Sequence, residues 1–181
     1  MLKFVKAAML LSLIGFMTPV KAALLVEPIL GFNLGTDLDI ENEEYSGKGA
    51  AFGGRLGYQQ LGFQLGLDYL RSSIDVDDKD FDKDIKMSEW AGFVGFEFPI
   101  LLRVYAGYIF SAQGESKSDG TTTKFNDGTG TKVGVGFTGL PFVDINFEYR
   151  KVKFDEFKAG PIKTDADYQT YMVSLSVPLN F

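Results

Sequence analysis

Residues Tyr168–Phe181, YQTYMVSLSVPLNF, decide the fold. Tyr171, Val173, Leu175, Val177, Leu179 and Phe181 share one parity, while Thr170, Ser174, Ser176 and Asn180 share the other; Met172 and Pro178 are the exceptions. Such alternation is the period of a β-strand with one apolar and one polar face. No charge follows Asp167, and the stretch closes on an aromatic residue. From Tyr171 to Phe181, a rise of roughly 3.3 Å per residue at a tilt of about 40° covers ~25 Å, the height of the apolar band on a bilayer-spanning strand.

Seven more alternating segments precede it, at Val26–Gly35, Ala51–Tyr58, Phe63–Tyr69, Ser88–Phe98, Leu102–Phe110, Thr131–Phe137 and Val143–Tyr149. Their connections alternate in length. Gln59–Leu61, Pro99–Leu101 and Gly139–Phe142 are tight, whereas Thr36–Ala50, Leu70–Met87, Ser111–Gly130 and Lys151–Asp167 are long, polar and charged. A soluble barrel alternates too, with its apolar face inward. Three features favour the opposite sign. Glycine crowds the polar parity, at 31, 35, 53, 57, 66, 95, 107, 134 and 136, as a narrow interior requires. Tyr69, Trp90, Phe110, Tyr149 and Tyr171 lie toward the long connections, and Tyr58, Phe63, Phe98 and Phe181 toward the tight ones, forming two aromatic girdles. The terminal Phe181 is the third feature.

On these residues the chain resembles the small bacterial outer-membrane barrels of the OmpA/OmpX type. The resemblance implies an all-β fold, an eight-stranded antiparallel up-and-down transmembrane β-barrel spanning residues 23–181. Short turns would face the periplasm together with both termini, and four long loops would face outward. It also implies that Tyr171, Val177, Leu179 and Phe181 form the assembly signal read by the barrel-insertion machinery, and that membrane lipid and lipopolysaccharide surround the wall. With the sequence ending at Phe181, no peptidoglycan-binding tether is expected.

Residues 1–22 carry the marks of a signal peptide: Lys3 and Lys6, the apolar run Ala7–Met17, and Val20-Lys21-Ala22 as a cleavage site. The run is shorter than the ~20 residues a membrane helix needs. Without Lys3, Lys6 and Lys21 the 18 basic residues fall to 15 against 24 acidic ones, and the net charge moves from −6 to −9. That balance argues against nucleic acid as a partner. The absence of cysteine excludes a disulfide framework.

Histidine is absent too. The enzymes built on comparable barrels place one in their active sites, so a neutral-pH base is missing and no enzyme is expected. No cofactor is expected either. Charges on the inward parity form one concentration of chemistry: Glu27, Arg55, Asp68, Glu89, Glu97, Arg103, Lys132, Asp144, Glu148 and Arg150. Eight strands enclose a space just wide enough for side chains, so these charges are expected to fill the lumen as a paired network rather than line a conduit. Symmetry about Ile100 would set Glu97 opposite Arg103, and symmetry about Leu140 would set Lys132 opposite Glu148. The acidic loops form a second concentration. Asp75, Asp77, Asp78, Asp80, Asp82 and Asp84 are weak candidates for a divalent cation, although the spacing lacks the EF-hand glycine and final Glu, and a solvated loop is the simpler expectation. The expected role is structural and interactive, exerted through the loops on a surface ligand of unknown kind. The alternatives are an adhesin or a host- or phage-contact protein, and a narrow transporter for small or hydrophobic solutes.

Overall fold

The computed structural model describes residues 22–40, 43–78, 81–118, 121–159 and 162–181, with side chains described over 22–37, 46–75, 85–115, 126–154 and 167–181. The region of the expected signal peptide, residues 1–21, lies outside the described residues. The strands are β1 (Ala23–Ile40), β2 (Glu43–Gln60), β3 (Phe63–Asp78), β4 (Phe81–Phe98), β5 (Leu102–Ser118), β6 (Thr121–Phe137), β7 (Asp144–Ala159), β8 (Ile162–Ser176) and the short β9 (Leu179–Asn180). Each pairs antiparallel with its sequence neighbour, and β1 pairs with both β2 and β8, which closes the sheet. β9 continues the line of β8 along β1, so the barrel has eight spanning strands.

The gap between β8 and β9 has a simple cause. Val177 N donates to the Pro28 carbonyl at 3.1 Å, but Pro28 has no N–H to return. One ladder bond is therefore missing at the seam. Pairing resumes where Leu24 and Phe181 exchange bonds of 2.9 and 3.0 Å.

Six of the eight strands run far beyond the segments that alternation marks out. The connections expected to be long loops are mostly paired strand, from Ile40↔Glu43 and Asp78↔Phe81 down to the wall. Two physical reasons hid them. First, β-bulges at Asn33/Gly35 and Ile109/Ala112 shift the parity where the alternating segments end. Gly35 consequently leaves the inner face, where it was expected, and Thr36 takes the inward position, 3 % exposed. Second, the sign of the faces inverts. Along Lys151-Val152-Lys153-Phe154 the apolar residues point in and the lysines point out, the reverse of Ile145-Asn146-Phe147-Glu148. In the lower part apolar residues face outward, as on a membrane barrel, and in the upper part polar residues do; one sheet joins the two. The upper part encloses an apolar cluster of Ile74, Ile85, Met87, Ala91, Ile109, Ala112, Val152, Phe154 and Tyr168.

The tight turns need left-handed backbone. Between Gln60 and Phe63, Leu61 (φ 52°) and Gly62 (φ 84°) make a two-residue turn with the signs of type I′, which matches strand twist. Phe98↔Leu102 places the second turn about Ile100 as expected. The third departs from expectation. Phe137 pairs with Ile145, so the centre is Pro141 and not Leu140, and Val143 lies outside β7. Phe142 at φ 67° follows a proline with no N–H, which widens this turn.

Candidate functional site

Alternation brings all the sequence-selected charges except Glu97 to buried positions on the inner face, and Glu97 is half-buried near the short turns. Near that end Arg103 on β5 grips Glu27 on β1 through Nη1–Oε2 (3.0 Å) and Nη2–Oε1 (2.6 Å). Its Nη2 also donates to Asn146 Oδ1 at 2.6 Å and lies 3.5 Å from Asp144 Oδ2, both on β7. Asn146 Nδ2 donates to Ser176 Oγ at 2.9 Å, and Ser176 donates to Glu27. One guanidinium thus ties three strands together across the lumen, and Ser176 joins β8 to them.

The next layer is built on Arg55 of β2. It donates to Glu148 across the barrel at 3.1 Å and to Asp68 at 3.4 Å, and its Nη1 lies 3.7 Å from Glu27. Its guanidinium carbon sits 4.1 Å from the Tyr105 ring centre, a stacking geometry that suits a planar cation. Lys132 pairs with Asp68 and lies 3.5 Å from Glu148. Arg150 pairs with Glu148 and donates to Glu89 at 2.6 Å. The result is one connected run, Glu89–Arg150–Glu148–Arg55–Glu27–Arg103–Asp144, braced by Lys132 and Asp68. Burying this many ions is tolerable only because each finds opposite charge within reach.

Two expected partnerships change. Glu97 and Arg103 are opposite in register, yet Arg103 turns to Glu27, and Glu97 accepts from Gln59 Nε2 at 3.1 Å. A fully buried guanidinium gains more from a bidentate carboxylate in the lumen than from a half-buried one at the rim. Lys132 faces Arg150 in register and not Glu148, which sits opposite Gly134, because the third turn is centred on Pro141. The lysine still reaches Glu148, diagonally.

Glycine makes room for this layer. A Cβ on Gly134 would stand 2.5 Å from Tyr105 Oη, and one on Gly136 would stand 2.6 Å from Asn146 Oδ1. A Cβ on Gly107 would meet the Lys132 chain at 2.9 Å. Asn146, Ser176, Tyr105 and Phe93 belong to the same site, though only charge singled out its members in the sequence. Their inward parity was the available signal.

Of the acidic candidates, only Asp75 has a described side chain. Asp75 is exposed on β3, and register sets it opposite Asp84 and sets Asp77 opposite Asp82. Asp80 lies outside the described residues, as do the side chains of Asp77, Asp78, Asp82 and Asp84. Among the described residues no three His, Cys, Asp or Glu converge to hold a metal ion. On the outer face, Tyr171, Val177, Leu179 and Phe181 all point away from the lumen. Tyr69 and Trp90 pair across β3 and β4 at 4.9 Å between ring centres, and Tyr149 and Tyr171 at 5.0 Å, on the hairpin side; Phe63 and Phe96 pair at 4.7 Å on the turn side.

Solved structures share this architecture. Neisserial surface protein A is 16 % identical, with 85 % of this chain and 96 % of that one covered at a TM-score of 0.59. Ail, the attachment invasion locus protein of Yersinia pestis, in complex with the heparin analogue sucrose octasulfate, is 12 % identical, with 86 % and 99 % covered at a TM-score of 0.63. Likeness at that identity speaks for the fold alone. No curated protein matches the sequence. Residues 8–181 match the family described as outer membrane protein beta-barrel domain. The chain belongs to this family of bacterial outer-membrane β-barrels.

Proposed function

We propose that this barrel has a closed interior and acts at its hairpin end, as a structural and contact protein of the cell surface. The observation that supports this reading is the pair of buried side-chain layers stacked in the lumen. The ion-pair run from Glu89 to Asp144 crosses the membrane part, and the apolar cluster around Ile109 and Phe154 stands above it. A solute would have to separate buried ion pairs, each costly to break, and then pass a mainly apolar layer. In this reading residues 1–22 are removed on export, the short turns and both termini lie at the periplasmic side of the membrane, and Tyr171, Val177, Leu179 and Phe181 present the outward edge read during insertion. With no histidine in the chain and, among the described residues, every lumen carboxylate except Glu97 buried, the residues described offer no free acid–base pair, which supports a non-enzymatic role.

A contact role with a surface ligand is the finer form of the same reading. Ail's complex with a heparin analogue shows that a barrel of this fold engages a polyanion. The present chain, at a net −9 once residues 1–22 are removed and with Lys151 and Lys153 both facing Asp167, is less suited to sulfated ligands and better suited to cationic or neutral ones. Purified protein in planar bilayers tests the closed interior: the expected record has no sustained unitary conductance, and stable channels would overturn it. Shortening the β3–β4 hairpin tests the contact role. Surface binding should fall while the heat-modifiable gel mobility of the folded barrel is kept.

A further inference from the structure

The short-turn end of the barrel carries a surface that water does not explain. Phe142 is 86 % exposed, Ile100 69 %, Leu101 51 %, Leu61 46 % and Leu140 43 %. The three turns, residues 61–62, 99–101 and 138–143, contain no Lys, Arg, Asp or Glu. The nearest charges point inward: Arg103 and Asp144 are buried and Glu97 is half-buried. Turns in water are normally built from polar and small residues, and an exposed apolar patch of this kind marks a covered surface.

Three further observations say what covers it. The patch is continuous with the lipid-facing wall through Phe98, Leu102 and Phe137, and the exposed polar side chains at this end, Gln60 and Asn180, are uncharged. Two turn carbonyls are satisfied by neighbouring strands, since Glu97 N donates to the Gly62 carbonyl at 2.8 Å and Thr138 N to the Leu101 carbonyl at 2.9 Å. Each carbonyl paired inside the protein is one fewer polar group to bury in hydrocarbon. The third observation is length. From Trp90 in the hairpin-side girdle to Phe98 the strand rises only ~20 Å at about 3.3 Å per residue and 40° tilt, and continuing to Ile100 brings it to the ~25 Å of the apolar band.

We infer that the turns themselves are seated in the bilayer, with phospholipid acyl chains of the nearer leaflet covering Phe142, Ile100 and Leu101. The barrel then ends in lipid on this side and rises clear of it on the other. The inference rests on the membrane-spanning reading, so the test separates the two.

The chain has no cysteine, so single-cysteine variants accept one environment-sensitive fluorophore each. The variants are Phe142→Cys and Ile100→Cys at the turns, Leu65→Cys on the wall and Lys153→Cys on the hairpin face. They are labelled and reconstituted into phosphatidylethanolamine/phosphatidylglycerol vesicles, and folding is checked by gel mobility. The turn labels should emit to the blue of the label at 153, lose most of their intensity to nitroxide-bearing lipid, and keep it against aqueous iodide. If the label at 65 is quenched by lipid but both turn labels are quenched by iodide, the inference is overturned while the membrane reading stands. If the label at 65 is also quenched by iodide, the membrane reading itself fails. Shielding that disappears on dilution of protein into excess lipid would place a second copy there and overturn the assignment to lipid.

Discussion

Arg103 offers the sharpest test of the lumen network. Replacing it with methionine keeps the length of the chain but leaves Glu27, fully buried, without its bidentate partner. Removing one member of a buried pair costs about 3–5 kcal/mol, because the remaining charge is stranded. Here the lower end applies. Glu27 keeps the Ser176 hydroxyl and has Arg55 Nη1 at 3.7 Å, so Arg103→Met should cost ~3 kcal/mol. Adding Glu27→Gln removes the stranded charge, and Arg55 retains Asp68 and Glu148. Asp144 loses the same neighbour in both variants and drops out of the comparison. The double variant should therefore be more stable than Arg103→Met by about 1–2 kcal/mol, within the usual range for residues in one network. Urea titration in vesicles, read as the fraction keeping folded gel mobility, measures both. A double variant no more stable than Arg103→Met would refute the claim that buried charge, and not side-chain packing, sets the cost. Glu97→Gln in the same assay should change little, since Glu97 meets Gln59 at the half-buried rim.

Other expectations follow from the same geometry. Gly134→Ala should destabilise by about 1–3 kcal/mol by displacing the Tyr105 ring, whereas Gly35→Ala, with nothing within 4 Å of its added Cβ, should be silent in the same titration. Deleting Phe181 removes both of its bonds to Leu24, about 0.5–1.5 kcal/mol each, and should leave the protein unfolded in the periplasm; normal heat-modifiable migration from outer-membrane fractions would contradict this.

The membrane half of the molecule was legible because its rule is simple. Ile145 to Tyr149 alternates without interruption, and parity alone sends Asp144, Asn146, Glu148 and Arg150 inward. Which inward groups touch was not legible. Register places Glu97 beside Arg103, but long side chains choose partners by reach and burial, and the choice of Glu27 depends on a strand far away in sequence. The upper half escaped for a different reason. At Ile109/Ala112 a bulge moves the inward row from odd to even numbers, and the two faces exchange polarity, so a continuous strand reads as a broken pattern followed by a polar loop. Val152 and Phe154 carried the signal that the strand continues, with the opposite sign from the membrane part.

That exchange of polarity bears on how the outermost surface can change over generations. In the upper part the fold is held by the inner row, Ile74, Ile85, Val152 and Phe154, while an outward residue such as Lys153 is exposed and meets Asp167 on the same outer face. Exposed substitutions away from packing contacts usually lie within about ±0.5 kcal/mol. The displayed face can thus be rewritten one residue at a time on an unchanged frame, and what it presents to the outside is free to drift while the barrel beneath stays the same.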